Sequence, residues 1–460
     1  MTLQEYLSSL SGKTVAVTGI GVSNRPLLTL LLDAGINVTA CDKKDRAALG
    51  PVADELEAAG CKLQLGPNYL ENLKQDVIFR TPGLHPRYLE KAKAGGSEIT
   101  SEMEVFFRVC PCPITGISGS DGKTTTTTMI ARLLEAEDYT VHLGGNIGRP
   151  LLSEANKISK TDQAVVELSS FQLMTMRQSP QTAVLTNLAP NHLDIHTSMD
   201  EYVEAKAALL DYQKPENCAV CNWDNEITRK LSERSAGRVL YFTRNPAVKP
   251  ENGCWIQDEC IWYRDERLPD GEPVLPLRDI LLPGVHNIEN YMAAICAVKG
   301  NVSHETIQNF AETFGGVEHR IELVRERNGV RWYNDSIASS PSRTIAGLNS
   351  FPEKVILIAG GKDKGISYDS LGPVINDHVK LLILCGATAR VIREAVEKAG
   401  NYRGVEIAEV SEYPDAVKLA SQKSSAGDVV ILSPASTSFD RFQNFEERGR
   451  VFKELVQKLS

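Results

Sequence analysis

The sequence predicts an α/β protein of three domains, each built around a mainly parallel sheet. Short apolar strands alternate with helical stretches along most of the 460 residues, which is the pattern of βαβ units. A glycine-rich or Ser/Thr-rich turn follows the leading strand of each predicted domain, as in enzymes that bind ligands at the carboxyl ends of strands. The length itself suits about three domains of about 150 residues each.

The first domain is predicted over residues 1–110. Residues 14–18 (TVAVT) form an apolar strand, and the turn Gly19-Ile20-Gly21 follows. A helix opens near Pro26, since proline needs no hydrogen-bond donor at a first helical position, and residues 37–40 form the next strand. Strand, glycine turn, helix and strand together predict a Rossmann-like domain.

The central domain is predicted over residues 111–316, with an arrangement like that of P-loop ATPases. A strand at Ile114 enters a glycine-rich loop and a helix at 124–136, and strands follow at 164–168 and 183–186. Residues 215–282 are richer in Pro, Asn, Asp and Trp, which favours a small antiparallel elaboration. The pair Gly315-Gly316 provides a linker.

The third domain is predicted over residues 317–460, again Rossmann-like. Its strong apolar strands are 355–359, 381–385 and 429–432, with helical stretches between them.

Composition excludes several classes of protein. Fifty basic against 59 acidic residues give a net charge of −9, which argues against a nucleic-acid or anionic-membrane footprint. No apolar run reaches the roughly 18 residues of a membrane span, and the first residues lack a secretory pattern, so a cytoplasmic protein is expected. The ten cysteines are then reduced thiols. Cys218-x-x-Cys221 lacks the second tight pair of a zinc site.

The strongest motif is the loop from Gly116 to Thr124 (GISGSDGKT). Glycines let consecutive backbone N–H groups surround a polyphosphate, Lys123 neutralises its charge, and the Thr124 hydroxyl can bind Mg²⁺. The usual first glycine is replaced by Ile117, so the loop is a variant. Glu167 closes a later apolar strand, where a carboxylate can meet the same ion.

The glycine turn of the first domain allows two interpretations. Asp42 lies 21 residues after Gly21, as in a dinucleotide fingerprint, but Asn24 stands where the third glycine belongs. An NAD(P)-dependent oxidoreductase is therefore one alternative function.

Six further blocks follow one another along the chain: ELSSFQL from Glu167, NLAPNHLD from Asn187, HNxxN from His286, EHR from Glu318, NDS from Asn334 and LSPASTSFD from Leu432. In this order they resemble the blocks of the Mur ligase family, ATP-dependent amide-forming enzymes of peptidoglycan precursor synthesis. With FQNFEERG from Phe442, the last two are most similar to the members that add D-glutamate to UDP-N-acetylmuramoyl-L-alanine. The resemblance covers nearly the whole chain.

The resemblance implies a catalytic and metal-binding set around the phosphate loop. Lys123, His192 and Lys206 are the implied catalytic residues. Lys206, which from its pattern alone is a solvated helix lysine, is implied to be carbamylated and to bind a second Mg²⁺ as an anion. The implied metal ligands are Thr124, Glu167, His192 and Lys206 as its carbamate.

The resemblance also implies the nucleotide contacts. Asn287 and Asn290 are neighbours on one helix face and would bind adenine, although Asn287 could instead cap the helix. ATP would then lie between the second and third domains, with closure completing the site. The full ATP-binding set is Gly119, Ser120, Asp121, Gly122, Lys123, Thr124, Thr125, Asn287, Asn290, Arg320 and Asp335.

Two further sets are implied for the other substrates. For the UDP-sugar they are Val22, Ser23, Asp42, Lys43, Gly83 and Asn146. For the amino acid they are Ser339, Lys364, Ser438, Phe439 and Phe445, with Lys362 as a competitor of Lys364. One departure stands out, because Ile337 occupies a position that is lysine in the family pattern Asp-Ser-Lys-Ala.

The expected function is therefore an ATP- and Mg²⁺-dependent ligase that adds D-glutamate to UDP-N-acetylmuramoyl-L-alanine through an acyl phosphate. Its partners are these small molecules, with no nucleic acid or membrane span, and a monomer is expected. Another amino-acid ligase of the same family, a folylpolyglutamate-type ligase and a non-catalytic nucleotide-binding regulator are the remaining alternatives. The diamino-acid-adding members carry an Asp-Asn-Pro-Arg segment that this sequence lacks.

Overall fold

A computed structural model describes residues 1–21, 23–189, 196, 198–363 and 365–459. The chain forms two compact units, one of residues 1–277 with 289–310 and the other of residues 278–288 with 311–460. The first unit holds two sheets and the second holds one. Within the described ranges, none of the helices combines the length and apolar character needed to cross a bilayer.

The N-terminal sheet is fully parallel, with strand order β3-β2-β1-β4-β5. Its order reverses between β1 and β4, so the carboxyl ends of these two strands border a crevice. The strands are β1 Thr14–Thr18, β2 Asn37–Asp42, β3 Lys62–Leu65, β4 Val77–Phe79 and β5 Glu98–Thr100. The helices are α1 Leu3–Ser9, α2 Arg25–Asp33, α3 Arg46–Leu49, α4 Pro51–Ala58, α5 Glu90–Ala94 and α6 Glu102–Val109, with a 3₁₀ turn at Pro86–Leu89.

The central sheet has nine strands in the order β14-β13-β12-β11-β10-β9-β6-β8-β7. They are β6 Ile114–Ser118, β7 Val141–Gly145, β8 Gln163–Glu167, β9 Thr182–Leu185, β10 Cys218–Asn222, β11 Arg238–Thr243, β12 Gly253–Gln257, β13 Cys260–Asp265 and β14 Leu268–Pro276. The helices are α7 Lys123–Ala136, α8 Ser170–Leu173, α9 Met199–Asp211, α10 Glu226–Ser232, α11 Val285–Val298 and α12 His304–Thr313, with 3₁₀ turns at Leu152–Lys157 and Leu277–Asp279. Strand β6 is buried along its whole length and lies between β9 and β8, so its phosphate loop follows an interior strand of the sheet.

The prediction of an antiparallel elaboration over residues 215–282 is only partly right. Strands β10, β11 and β12 extend the parallel sheet, and only β13 and β14 run antiparallel to their neighbours. The reason lies in α10, whose N-cap Asn225 and buried Leu231 make a crossover between β10 and β11. That helix is only seven residues long, so its period is hard to distinguish in the sequence.

The C-terminal sheet has the order β15-β16-β20-β17-β18-β19, parallel except for β15. Its strands are β15 Glu322–Arg327, β16 Val330–Asn334, β17 Val355–Ala359, β18 Val379–Cys385, β19 Glu406–Val410 and β20 Val429–Leu432. Its helices are α13 Pro341–Leu348, α14 Leu371–His378, α15 Ala389–Lys398, α16 Tyr413–Lys423 and α17 Phe445–Gln457. Strands β16, β20 and β17 are neighbours, so the loops after them converge at one edge.

Candidate active site

The phosphate loop connects β6 to α7 and is fixed by the loop after β9. Asn187 accepts the Ser120 N–H through its carbonyl oxygen at 2.8 Å and the Asp121 N–H through Oδ1 at 3.0 Å. Gly119, at φ 151°, has no room for a side chain, because a Cβ there would overlap Thr186 Oγ1. Lys123 Nζ donates to the Ser120 carbonyl at 2.8 Å. The loop therefore has the curled backbone and the lysine that a polyphosphate site requires.

Thr124 and Glu167 lie together beside this loop. The Thr124 hydroxyl donates to Glu167 Oε2 at 2.7 Å, and Asn146 Nδ2 donates to the other oxygen, Oε1, at 2.7 Å. Glu167 is buried at the carboxyl end of β8. The structure thus brings together two predicted metal ligands and one predicted UDP-sugar contact.

Lys206 is buried on α9, with only 1% of its surface exposed. Its Nζ donates to Ser118 Oγ at 2.9 Å and lies 5.1 Å from the centre of the Tyr202 ring. Burial, reinforced by the charge of Lys123 and opposed by that of Glu167, lowers the pKa of the Lys206 amine well below its ordinary value. This burial excludes the interpretation of Lys206 as a solvated helix lysine.

The two asparagines of α11 lie in different surroundings. Asn290 is buried, and its Oδ1 accepts the Thr126 hydroxyl at 3.2 Å, so it contacts the helix that follows the phosphate loop. Its Oδ1 also faces Gly122, whose φ of 77° and lack of space exclude a side chain. Asn287 Nδ2 donates to the Pro283 carbonyl at 2.5 Å.

The glycine turn of the first domain is held by Asp42 and Asn24. Asp42 Oδ2 accepts the Ile20 N–H at 2.7 Å, and its Oδ1 accepts the Lys44 N–H at 2.9 Å. Asn24 Nδ2 donates to the carbonyls of Thr18 and Gly19, both at 3.0 Å, which explains an asparagine where a fingerprint has glycine. Ser23, Lys43 and Gly83 are exposed around the crevice between β1 and β4.

Asp335 follows β16 and is buried in the second unit. Ser433 Oγ donates to its Oδ2 at 2.7 Å, and the Ile321 N–H donates to its Oδ1 at 3.4 Å. Burial raises the pKa of Asp335 to about 7, although Ser433 and the charges of Arg320 and Arg343 oppose the shift. Arg320 and Asp335 are thus electrostatically coupled, as two residues assigned to one ligand would be.

The predicted amino-acid contacts lie on loops that are tied to one another. Ser336 Oγ donates to the Phe445 carbonyl at 2.7 Å, and residues 362 and 437 exchange backbone hydrogen bonds of 2.9 and 3.1 Å. Ser438 is buried, Phe439 is 63% exposed, and Ser339 and Phe445 are half-buried.

Three predicted site residues, Val22, His192 and Lys364, lie outside the described residues. Lys362 is exposed on the loop after β17. The choice between Lys362 and Lys364 therefore stays open.

Comparison with known proteins matches both the middle and the last part of the chain. Residues 117–298 match the Mur ligase middle domain, and residues 319–436 match the Mur ligase, glutamate ligase domain. The chain is 50% identical over 465 residues to UDP-N-acetylmuramoylalanine–D-glutamate ligase of Acetivibrio thermocellus, with 99% of each chain covered. A protein of the same name from Ruminiclostridium cellulolyticum is 48% identical over 468 residues, again with 99% of each covered.

The chain belongs to the Mur ligase family. The crystal structure of UDP-N-acetylmuramate-alanine ligase from Thermotoga maritima has the same fold, with a TM-score of 0.57 at 16% identity and with 97% of this chain and 99% of that chain covered. The predicted α/β fold of three domains and the predicted family are both confirmed.

Sequence reasoning missed three arginines of this Mur ligase. Arg80 and Arg448 are buried, and Arg343 is exposed beside the loop after β16. Arg80 follows the buried strand VIF, and a charge next to a fully apolar strand was a signal that could have identified it. Arg448 connects two loops, since its guanidinium donates to the Ser336 and Ser436 carbonyls at 2.8 and 3.0 Å.

Proposed function

We propose that this Mur ligase joins D-glutamate to UDP-N-acetylmuramoyl-L-alanine at the expense of ATP, in the synthesis of peptidoglycan precursors. The observation that carries the proposal is the 50% identity, over 99% of both chains, to a ligase named for that reaction. The phosphate loop with Lys123, Thr124 and Glu167 supports the use of ATP. We also propose that the enzyme acts in the cytoplasm as a monomer, with domains at 1–110, 111–316 and 317–460.

The first chemical step is transfer of the γ-phosphoryl group to the substrate carboxylate. A carboxylate oxygen of the alanyl group attacks the γ-phosphorus, the bond to the β-phosphate oxygen breaks, and ADP leaves. The backbone N–H groups of the loop and Lys123 bind the phosphates. They also neutralise the negative charge on the phosphate oxygens while the new P–O bond forms and the old one breaks. Phosphoryl transfer needs little covalent help beyond this positioning.

The second step forms the amide. The amine of D-glutamate attacks the acyl carbon, orthophosphate leaves, and the amine nitrogen loses a proton. One oxygen of the original carboxylate therefore ends in orthophosphate. The predicted amino-acid contacts are Ser339, Ser438, Phe439 and Phe445, with Lys362 or Lys364 facing a carboxylate of the amino acid.

Magnesium fits the donor set beside the loop. Thr124 Oγ1 and Glu167 Oε2 lie 2.7 Å apart, and hydroxyl and carboxylate oxygens are the ligands that Mg²⁺ prefers. These two residues would hold one ion, and a carbamate on Lys206, with His192, would hold a second. When bound, Mg²⁺ supplies charge neutralisation of the transferring phosphoryl group.

The proposal is tested by measuring ADP with each substrate omitted in turn. ADP formation is expected only when ATP, UDP-N-acetylmuramoyl-L-alanine and D-glutamate are all present, and L-glutamate, L-alanine or a diamino acid should not replace D-glutamate. With ¹⁸O in the alanyl carboxylate, one labelled oxygen should appear in orthophosphate. ADP formation that does not depend on the UDP-sugar, or unlabelled orthophosphate, would refute the mechanism. Lys123→Ala should abolish turnover with an unchanged circular-dichroism spectrum.

A further inference from the structure

The loop after β16 departs at one position from the family pattern Asp-Ser-Lys-Ala. This loop runs from Asp335 to Ser340 and leads into α13. Ile337 stands at the position where the family pattern has lysine, and its side chain is half-buried. An isoleucine offers no charge to an anionic ligand, so a ligand contact made from this position must be lost or made by another residue.

Arg343 lies beside this position although it is six residues further along the chain. Its Nη1 donates to the carbonyl oxygen of Ile337 at 3.1 Å. The same oxygen accepts the N–H of Ser339 at 2.8 Å. Because Arg343 Nη1 and the Ser339 nitrogen both donate to this oxygen, the two nitrogens lie within about 6 Å of each other. The Arg343 guanidinium is therefore close to Ser339, which is predicted to contact the amino acid.

The remaining donors of Arg343 are available to a ligand. Its side chain is exposed, and in the described part of the chain no carboxylate lies within ion-pair distance of it. Its charge acts on the neighbouring Asp335, but that carboxylate is buried and accepts its close hydrogen bond from Ser433. Because only one N–H of the guanidinium donates to the backbone, its remaining N–H groups can still bind a carboxylate or phosphate in a bidentate manner.

We propose that Arg343 is a substrate-binding residue that supplies the positive charge absent from position 337. It binds a carboxylate of the amino acid at the edge of the C-terminal sheet, next to Ser339. The inference rests on the proposed function, because it assigns a residue to one of that reaction's substrates.

Moving the charge back to position 337 tests the assignment. The variants are Arg343→Ala and the double variant Ile337→Lys/Arg343→Ala. The matched control is Arg390→Ala, which removes an arginine with 84% side-chain exposure from α15 of the same unit. For each protein, KM for D-glutamate, ATP and the UDP-sugar, kcat and the melting temperature are measured.

Arg343→Ala is expected to raise KM for D-glutamate by about 10- to 100-fold, the range for losing a charge-assisted hydrogen bond, with the melting temperature unchanged. The double variant should recover most of that loss, and Arg390→Ala should match the wild type. KM for ATP and KM for the UDP-sugar should not change, because Arg343 is assigned to the amino acid alone.

An unchanged KM for D-glutamate overturns the proposal, and so does a rise in that KM that adding Ile337→Lys does not reverse. A lowered melting temperature with unchanged KM would show that Arg343 only supports the loop, which also overturns it. Failure of the wild-type enzyme to form ADP with D-glutamate would instead refute the proposed function. The two failures are therefore distinguishable.

Discussion

Lys206 is a buried amine next to the phosphate loop, and burial together with the charge of Lys123 lowers its pKa well below the ordinary value. Its surroundings offer a hydroxyl acceptor, Ser118, and an aromatic ring, Tyr202, but no direct carboxylate contact among the described residues. An unprotonated amine is the form that reacts with CO₂, since its nitrogen lone pair attacks the carbon and a proton is then released. A carbamate at this position would carry a negative charge, which the neighbouring charge of Lys123 favours.

We therefore predict that Lys206 is carbamylated in solutions containing bicarbonate. After incubation with ¹³C-bicarbonate, the wild-type protein should show a carbamate resonance that Lys206→Gln lacks. Lys214→Gln, at an exposed lysine after the same helix, is the control and should retain the signal. A wild-type spectrum without the resonance, with nucleotide and Mg²⁺ present, would contradict the prediction.

Asp335 makes the stability of the C-terminal unit depend on pH. Its pKa is about 7 in the folded protein and about 4 in the unfolded chain, so between these values only the folded state keeps the proton. The stabilisation is complete below about pH 4 and is lost as the pH rises toward 7. Asp335→Asn mimics the protonated acid, so its free energy of unfolding should lack this dependence on pH.

Relative to the wild type, Asp335→Asn should gain up to about 1.4 kcal/mol in free energy of unfolding for each pH unit across this window. Denaturant unfolding at several pH values between about 4.5 and 8 measures the difference. The exposed Asp369→Asn in the same unit is the control and should follow the wild-type curve. Parallel curves for Asp335→Asn and wild type would disprove the prediction.

At the scale of elements, Arg80 connects the turn after β4 with helix α8. Its Nη1 donates to the Leu84 carbonyl at 2.7 Å, and its Nη2 donates to the Phe171 carbonyl at 2.6 Å and to Thr175 Oγ1 at 3.2 Å. Glu104 provides the balancing charge and accepts the Thr175 hydroxyl at 3.2 Å. The predicted UDP-sugar turn and the helix that follows Glu167 are thus held by one guanidinium.

Arg80→Lys should lower the free energy of unfolding by about 2–5 kcal/mol, because one ammonium cannot satisfy both buried carbonyl groups. It should also raise KM for the UDP-sugar more than KM for D-glutamate, since the displaced turn contains Gly83. Urea unfolding and steady-state kinetics measure these effects. Arg87→Lys, at an exposed arginine of the next turn, should change neither quantity. An unchanged free energy of unfolding for Arg80→Lys would rule out the connection.

The elements that the sequence predicts best are those whose apolar runs are fully buried. Strands β1, β6, β17 and β20 agree with prediction to within a residue or two, because a buried parallel strand is apolar on both faces. The contacts of Arg80 and Arg343 could not be predicted, since they join residues from different elements. The same holds for Lys206, because a helix position indicates burial only when the packing of that helix is known.

For the whole molecule, the first two sheets behave as one body because they share a hydrophobic core. One continuous cluster includes Val15 and Phe106 of the N-terminal part and Leu152, Val166 and Leu185 of the central part. The C-terminal sheet has separate clusters on its two faces. A defect in the shared core should therefore loosen both of the first two sheets together.

Leu152→Ala tests this expectation, because Leu152 is 1% exposed in the 3₁₀ turn that packs against α1, α2 and α6. The cavity should cost about 2–5 kcal/mol. Amide hydrogen exchange is expected to accelerate in β1 and β4 as well as in β6 and β8, while β17 and β20 keep their rates. Leu382→Ala, in the C-terminal core, should give the reverse pattern. Faster exchange in β6 and β8 with β1 and β4 unchanged would show that the N-terminal sheet is stable by itself, and the shared core would then contribute nothing to its stability.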